Sequence, residues 1–325
     1  MLKFSIIVPI YNIDKYIEKS IQSVLEQNYD NFELILVNDG SKDNSKEICE
    51  KYAEIDSRII VINKKNGGLP AARNSGIRKA TGDYICHLDG DDFWKEGYLT
   101  YLNDILKNNE VDVLFGCGRY DYFGDEKYIK EYYYKINHDL VDKDELMKYL
   151  MEDRHEIPAS AWSNVYRTSF VKGNELYFTE GLTWSEDTDN YFNVLLNCES
   201  YNFMDEVYYV YRKNNVDAMT KEYSYKNIFS NIFVLRKWFE IYNKSNLNKE
   251  IRRISNIRFA NTYIYVSLFT INTNEIDKQR LCDEMTKDFE IMKNCKGIKY
   301  IIIYYLYRFF GIKKTLSILS LIRKQ

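Results

Sequence analysis

Proline is nearly missing from this chain, at three residues, and glycine is modest at 14. So little of either leaves no linker-like or low-complexity segment, and no internal repeat is present. Cysteines are six and scattered: Cys49, Cys86, Cys117, Cys198, Cys282 and Cys295 never form a C-x-x-C pair. That spacing argues against a zinc site and for reduced, structural thiols in a cytosolic compartment. The N-terminus lacks the basic region, long apolar core and cleavage site of a signal peptide, since Phe4–Pro9 is too short a run. A net charge of -3 gives no reason to expect nucleic acid as a partner.

Three common motifs are also missing. After the first apolar run stands Tyr11-Asn12-Ile13-Asp14 rather than G-x-G-x-x-G, which speaks against a dinucleotide cofactor. No G-K-[ST] phosphate loop occurs. Asp39, Ser41, Asp43, Ser45 and Glu50 have calcium-ligand spacing, but the sixth place of that loop is Asn44 where a glycine is needed.

What remains is a folded protein of 325 residues, 45% hydrophobic and 29% charged, long enough for one large α/β domain with an appendage or for two domains. Its most informative stretch is Asp83–Trp94, a short apolar run that stops at Asp89, Asp91 and Asp92. The pattern is that of a buried strand delivering acids to the surface at its C-terminal end. Crowded carboxylates repel, and a divalent cation would offset the repulsion. A solvated Asp-Gly turn is the plainer alternative.

Upstream, Phe4–Val8 is a β-branched run closed by Pro9, which cannot donate to a ladder. Ile17, Ile21, Val24 and Leu25 have helical spacing, with Asp14 as the expected cap. A second strand, Phe32–Val37, ends at Asn38-Asp39-Gly40-Ser41. Helix Asn44–Ala53, strand Arg58–Ile62, a loop at Lys64–Pro70 and helix Ala71–Ala80 lead to the strand Asp83–Leu88. Such alternation with short connections predicts a doubly wound, mostly parallel sheet. Ligands bind beyond the carboxyl ends of such strands. Pro9–Tyr11, Asp39 and Asp89–Asp91 fall there, and Arg73 sits near a helix start that favours an anion. Acids for a metal and a basic residue for phosphates thus converge on one rim, as a nucleoside diphosphate with a divalent cation would require.

Four segments together carry a resemblance: Ile7–Asn12, Val37–Ser41, Ala72–Gly76 and Leu88–Asp92. In that order they resemble a family 2 glycosyltransferase of the GT-A fold, of the kind that builds bacterial polysaccharides and capsules. The resemblance implies that Pro9, Tyr11 and Asp39 contact the nucleoside of a sugar donor, with Asn66 and Arg73 near the base and diphosphate. It implies that Asp89 reaches the ribose and that Asp91 binds Mn²⁺ or Mg²⁺ with Asp92 in support. Ala159–Arg167 followed by Glu180–Asp187 is similar to the family's acceptor-side segment and its acidic pair. Carried over, Asp187 is the general base and Glu186 its neighbour. Ser185-Glu186-Asp187 also fits a helix N-cap before Tyr191, Phe192, Val194 and Leu195. Inversion by a single displacement follows from the family, with Arg73 and the metal neutralising the departing diphosphate. Uridine is the donor nucleoside the family suggests, and a glycan or lipid-linked hydroxyl the acceptor. The expected location is cytoplasmic, peripheral on the inner face of the cell membrane.

Elsewhere the pattern is sparser. Val111–Gly116 reads as a strand and Tyr120–Lys135 as an aromatic hairpin or loop. His87 reads as a packing residue, while His155 fits either packing or ligation. The expected division is a catalytic domain over 1–220 and a helical region over 221–325, with Lys226–Tyr242 and Glu250–Ile271 capping the sheet. After Glu290 there are Lys293, Lys296, Lys299, Arg308, Lys313, Lys314, Arg323 and Lys324 but no acid. The run Tyr300–Tyr307 falls far short of the ~20 apolar residues that span a bilayer. In Ile312–Lys324, Leu316, Leu319 and Ile322 share a face, which suits an anionic membrane surface, the protein's own core or a second subunit. Two other activities stay open at this point: a nucleotidyltransferase on a related sheet, and a non-catalytic scaffold that binds sugar nucleotides or membranes.

Overall fold

A computed structural model of the chain describes residues 1–124, 129–134, 140, 142–152, 159–215 and 223–322. His155, Lys135, Arg323 and Lys324 lie outside the described residues. The chain forms two compact units. The first comprises Met1–Asp139, Pro158–Gly181 and Glu186–Val216; the second comprises Leu140–Ile157, Leu182–Ser185 and Asp217–Gln325.

The first unit is an α/β unit of the doubly wound kind. Its elements begin β1 (Phe4–Ile10), α1 (Ile17–Leu25), β2 (Phe32–Asn38), α2 (Ser45–Ile55), β3 (Ile59–Asn63), α3 (Leu69–Lys79) and β4 (Tyr84–His87). They continue through β5 (Phe93–Trp94), α4 (Tyr98–Leu106), β6 (Val113–Phe115), and the hairpin β7 (Gly118–Tyr122) and β8 (Ile129–Tyr133). Seven strands form the main sheet in the order β10-β6-β9-β4-β1-β2-β3, where β9 is Asn164–Arg167 and β10 is Tyr201–Phe203. Neighbours pair in parallel except β9, which runs antiparallel to both β4 and β6. A four-stranded sheet, β5-β11-β7-β8 with β11 at Tyr209–Arg212, completes the unit. β1 and β2 are buried along their whole length, as parallel strands covered on both faces must be. Ile6, Val8, Leu34, Leu36, Tyr84 and Cys86 join Ile17, Ile21 and Val24 of α1 in one core.

Local chemistry differs from expectation at two caps. α1 starts after Tyr16 with no side-chain cap; Asp14 instead accepts from Asn44 while its own N–H donates to Asp43, tying the β1 and β2 loops together. α3 begins at Leu69 with Pro70 in its first turn, two residues earlier than the apolar pattern indicates. It can lie close on β1 because of Gly76, where a Cβ would sit 2.3 Å from Ile7 Cγ2.

The second unit is helical: α5 (Lys143–Met151), α8 (Tyr225–Lys244), α9 (Lys249–Ser267), α10 (Glu275–Met285), α11 (Phe289–Met292), α12 (Ile298–Phe310) and α13 (Ile312–Ile322). α6 (Thr168–Gly173) and α7 (Glu186–Asn197) belong to the first unit. Ser224, Asn248 and Asn274 cap α8, α9 and α10 by accepting the N–H three residues on. α8 and α9 pack through Trp238, Tyr242, Phe259 and Tyr263. α5 joins this unit, where Lys148 meets Glu250 at 3.3 Å and Arg258 donates to the Glu152 carbonyl at 2.8 Å. A single cut near residue 220 does not reproduce that arrangement. Ile312 and Leu316 of α13 are buried, so this part of its apolar face packs on the protein itself. No described helix is long and apolar enough to cross a membrane.

Candidate active site

Past the carboxyl ends of β1, β2 and β4 the chain brings Asp39, Arg73, Asp89 and Asp91 to one side of the sheet. Asp39 follows β2 and is nearly inaccessible, at 2%. Its Oδ1 accepts from Lys64 Nζ at 2.6 Å and from Gly67 N–H at 3.0 Å; Oδ2 accepts from Gly68 N–H at 2.7 Å. The amides that open α3 therefore already face an anion, the protein's own carboxylate. Gly68 needs its left-handed backbone, φ +87, to aim its N–H this way. Tyr11 is exposed beside Asn12, a non-glycine residue at φ 52, whose amide donates to Ser41 at 3.1 Å. Pro9 is the last residue but one of β1, paired with Val37, and Asn66 is exposed in the loop before α3.

Arg73 is the centre of the site. It is 1% exposed, and its guanidinium meets three carboxylates that sequence separates widely. Nη2 donates to Asp89 Oδ1 at 2.9 Å, and Nη1 donates to Glu186 Oε1 at 3.1 Å and to Asp187 Oδ1. Asp187 Oδ2 takes the Ala161 N–H at 3.2 Å. Burial opposes the Arg73 charge, but Asp187, Asp89 and Glu186 outweigh it and keep the guanidinium protonated. An arginine so enclosed is matched inside the protein. Its geometry orients carboxylates, and the expected contact with a diphosphate does not follow from it.

Next to Arg73, Asn74 fixes the incoming chain. Its Nδ2 donates to the Phe178 carbonyl at 2.9 Å and its Oδ1 accepts the Phe178 N–H at 2.8 Å, as a strand neighbour would. Adjacent residues of α3 thereby hold both Phe178 and the Glu186–Asp187 pair. Ser185, just before α7, has a left-handed backbone (φ 62), and its hydroxyl donates to Asn231.

Asp91 and Asp92 are not equivalent. Asp92 is 1% exposed, and both its oxygens are engaged: Tyr209 Oη donates to one at 2.6 Å and the Arg212 N–H to the other at 2.7 Å. Burial, with Asp91 and Asp89 adding, pushes its carboxyl well above the usual range. Both Asp92 oxygens are thus held by residues of β11. Asp91 is partly exposed, and its Oδ2 accepts from Asn215 Nδ2 at 2.7 Å. No donor among the described residues reaches its Oδ1. No group of three or more His, Cys, Asp or Glu among the described residues could hold an ion alone. Mg²⁺ and Mn²⁺ are commonly held by one or two carboxylates with phosphate oxygens, so Asp91 fits a site completed by a bound diphosphate.

Burial, opposed by Arg73 and assisted by Asp187 and Asp91, raises the Asp89 carboxyl. Burial and then Asp187 raise Glu186, against the pull of Arg73. His87 is pushed down to about 3 by burial and by Arg73, and its ring packs edge-on against Phe178 at 5.5 Å. Tyr209, Arg212 and Asn215 were missed by sequence reading. The Tyr209 and Tyr211 alternation of β11 was their only signal. Trp162 stacks on Tyr209 at 4.1 Å, beside the segment that presents Ala161.

The first unit is thus a mostly parallel sheet with carboxylates gathered past its strand ends. The profile described as Glycosyl transferase family 2 matches residues 5–164. The chain is 37% identical over 212 residues to the uncharacterized glycosyltransferase EpsJ of Bacillus subtilis, covering 65% of this chain and 61% of that protein. It is 31% identical over 229 residues to the glycosyltransferase GlyG of Streptococcus pneumoniae, covering 67% and 73%. Against GlyA of the same organism, identity is 32% and only 30% of that protein is spanned. The structure of S. aureus TarS 1-349 with UDP superposes with a TM-score of 0.76 at 21% identity, over all of this chain and 92% of that one. This chain belongs to glycosyl transferase family 2, and its fold is GT-A.

Proposed function

We propose that this chain is an inverting, metal-dependent glycosyltransferase that moves a sugar from a UDP-sugar to a hydroxyl of a glycan or lipid-linked acceptor. The observation that carries this reading is the meeting of Asp89 with Glu186 and Asp187 on one buried guanidinium. Donor-side and acceptor-side carboxylates thereby lie one side chain apart. Asp187 is the general base: it removes the proton of the acceptor hydroxyl, whose oxygen attacks the anomeric carbon opposite the leaving group. Arg73 and the Ala161 N–H hold that carboxylate in position. Asp39 with Pro9, Tyr11 and Asn66 receives the nucleoside, and Asp89 the ribose. Mn²⁺ or Mg²⁺ at Asp91 would supply charge neutralisation for the diphosphate.

Support for uridine comes from TarS, whose structures hold UDP and UDP-GlcNAc. A more distant neighbour, a Pyrobaculum calidifontis mannosyltransferase, was solved with GDP-Man and Mn²⁺ (TM-score 0.54, 12% identity). Support for a role in bacterial surface polysaccharide comes from similarity to TuaG of B. subtilis, described as a teichuronic acid biosynthesis glycosyltransferase, at 42% over 96 residues. The acceptor side is read as working on the inner face of the cell membrane. A screen of UDP-sugars with Mn²⁺ tests the reading. Release of UDP supports it, and release of sugar 1-phosphate, from cleavage between the two phosphates, sinks it in favour of nucleotidyl transfer.

A further inference from the structure

The helical unit carries two neighbouring features that the transfer reaction does not use. One is a concavity of about 600 Å³ between α9 and the segment before α12, lined by Lys249, Arg252, Arg253, Asn256 and Lys296. None of its four basic side chains has a carboxylate within ion-pair distance among the described residues. The other is α12, which starts two residues after Lys296. Ile303 and Tyr307 turn inward, where Tyr307 shares a hydrogen bond with Ser267 at 2.7 Å. The outward stripe is apolar: Ile298, Ile302, Tyr305 and Phe309 are 79%, 52%, 53% and 78% exposed. Their spacing of four, three and four puts them on one face of the helix, and Lys299 and Arg308 flank it on either side. Tyr305 and Phe309 stack on each other at 6.2 Å. No acid occurs from Ile291 to Ile322.

We propose that this face docks on an anionic lipid bilayer, with α12 lying in the interface and the basic concavity taking lipid headgroup phosphates. An apolar stripe bordered by cations is the pattern of an interfacial helix. Unpaired arginines and lysines at its N-terminal end match the charge of an anionic leaflet. A second copy of the chain fits less well, because a shared two-fold face would bring these cations against each other. α12, rather than the sequence-expected α13, makes the contact, since Ile312 and Leu316 are already buried. The inference deepens the reading of a membrane-side acceptor, but its test does not depend on sugar transfer.

The full chain is sedimented with vesicles of phosphatidylcholine alone and with roughly one-third phosphatidylglycerol. Binding only to the anionic vesicles, lost at about 0.5 M salt, is expected. Arg252→Glu with Arg253→Glu should lower that binding about twentyfold or more. Ile302→Ser with Tyr305→Ser and Phe309→Ser should abolish it, while UDP release in solution stays unchanged in both variants. Arg253, Ile302, Tyr305 and Phe309 are exposed and Arg252 is half-buried, and a circular dichroism melt checks the fold. Absent binding, equal binding to neutral vesicles, or calorimetric binding of inorganic phosphate without vesicle binding overturns the proposal. So does a dimer, seen by sedimentation equilibrium, that the triple variant dissolves. Vesicle binding without donor turnover would instead leave this inference standing and remove the enzymatic reading.

Discussion

Replacing Asp187 with Asn separates the two tasks of its carboxylate. Oδ1 receives the Arg73 guanidinium and Oδ2 receives the Ala161 N–H. An amide offers one oxygen, so one of those donors must face an NH₂ group. A buried donor left without an acceptor costs ~1–3 kcal/mol. Removing the Asp187 charge relieves its repulsion with Asp89 and offsets part of that loss. A net loss near 1 kcal/mol corresponds to a fall in Tm of about 2–4 °C for a domain of this size. Loss of a positioned base is a different magnitude, ~10²–10⁴ in rate, or about 3–5 kcal/mol in barrier. The assay is UDP release from a donor found by screening, alongside calorimetric binding of the donor with Mn²⁺. Turnover should collapse while donor affinity and fold persist. Turnover within about threefold of the unchanged chain would refute the assignment, and Glu186 would be the next candidate.

Asp91→Asn should remove the Mn²⁺-dependent part of donor binding in calorimetry, and metal removal by a chelator should match it in the unchanged chain; unchanged affinity in the variant counts against Asp91 as ligand. Glu186 has a folded pKa raised above its ordinary 4.5, so the folded state keeps a proton that the unfolded chain has lost. Stability should therefore fall as pH rises from about 4.5 toward that raised value, and Glu186→Gln should flatten the decline in Tm across this window. Gly76→Ala should destabilise by ~1–3 kcal/mol, because its new Cβ would sit 2.3 Å from Ile7 Cγ2; an unchanged urea midpoint would contradict the close packing of α3 on β1.

The legible part of the fold was the part whose contacts are local in pattern. β1, β2 and β4 are continuous apolar runs because both faces are covered, and acids at their ends stand out against them. β9 was not legible as a strand: it is four residues long and pairs antiparallel with strands about 80 and 50 residues away. The partners of Asp92 and Asp91 were hidden for the same reason, since Tyr209 and Asn215 lie 117 and 124 positions downstream. The sequence suggested one convergent rim but not its arrangement. Arg73 reads as a phosphate ligand when only its place near a helix start is known. Its enclosure depends on Glu186, 113 residues on. The partner of the α13 face stayed open because apolar periodicity marks burial against something without saying against what.

The close seat of α3 on β1 has a further consequence for how this chain can vary in length. Arg73 and Gly76 are three residues apart on one helix, so the point of contact at Gly76 fixes the direction in which the guanidinium projects. Each residue of a helix turns the next side chain by about 100°. Inserting or deleting one residue between them would leave the helix intact yet swing Arg73 away from Asp89, Glu186 and Asp187 together, and carry Asn74 off Phe178. Between Leu69 and Gly76 the chain works as a ratchet with one permitted notch.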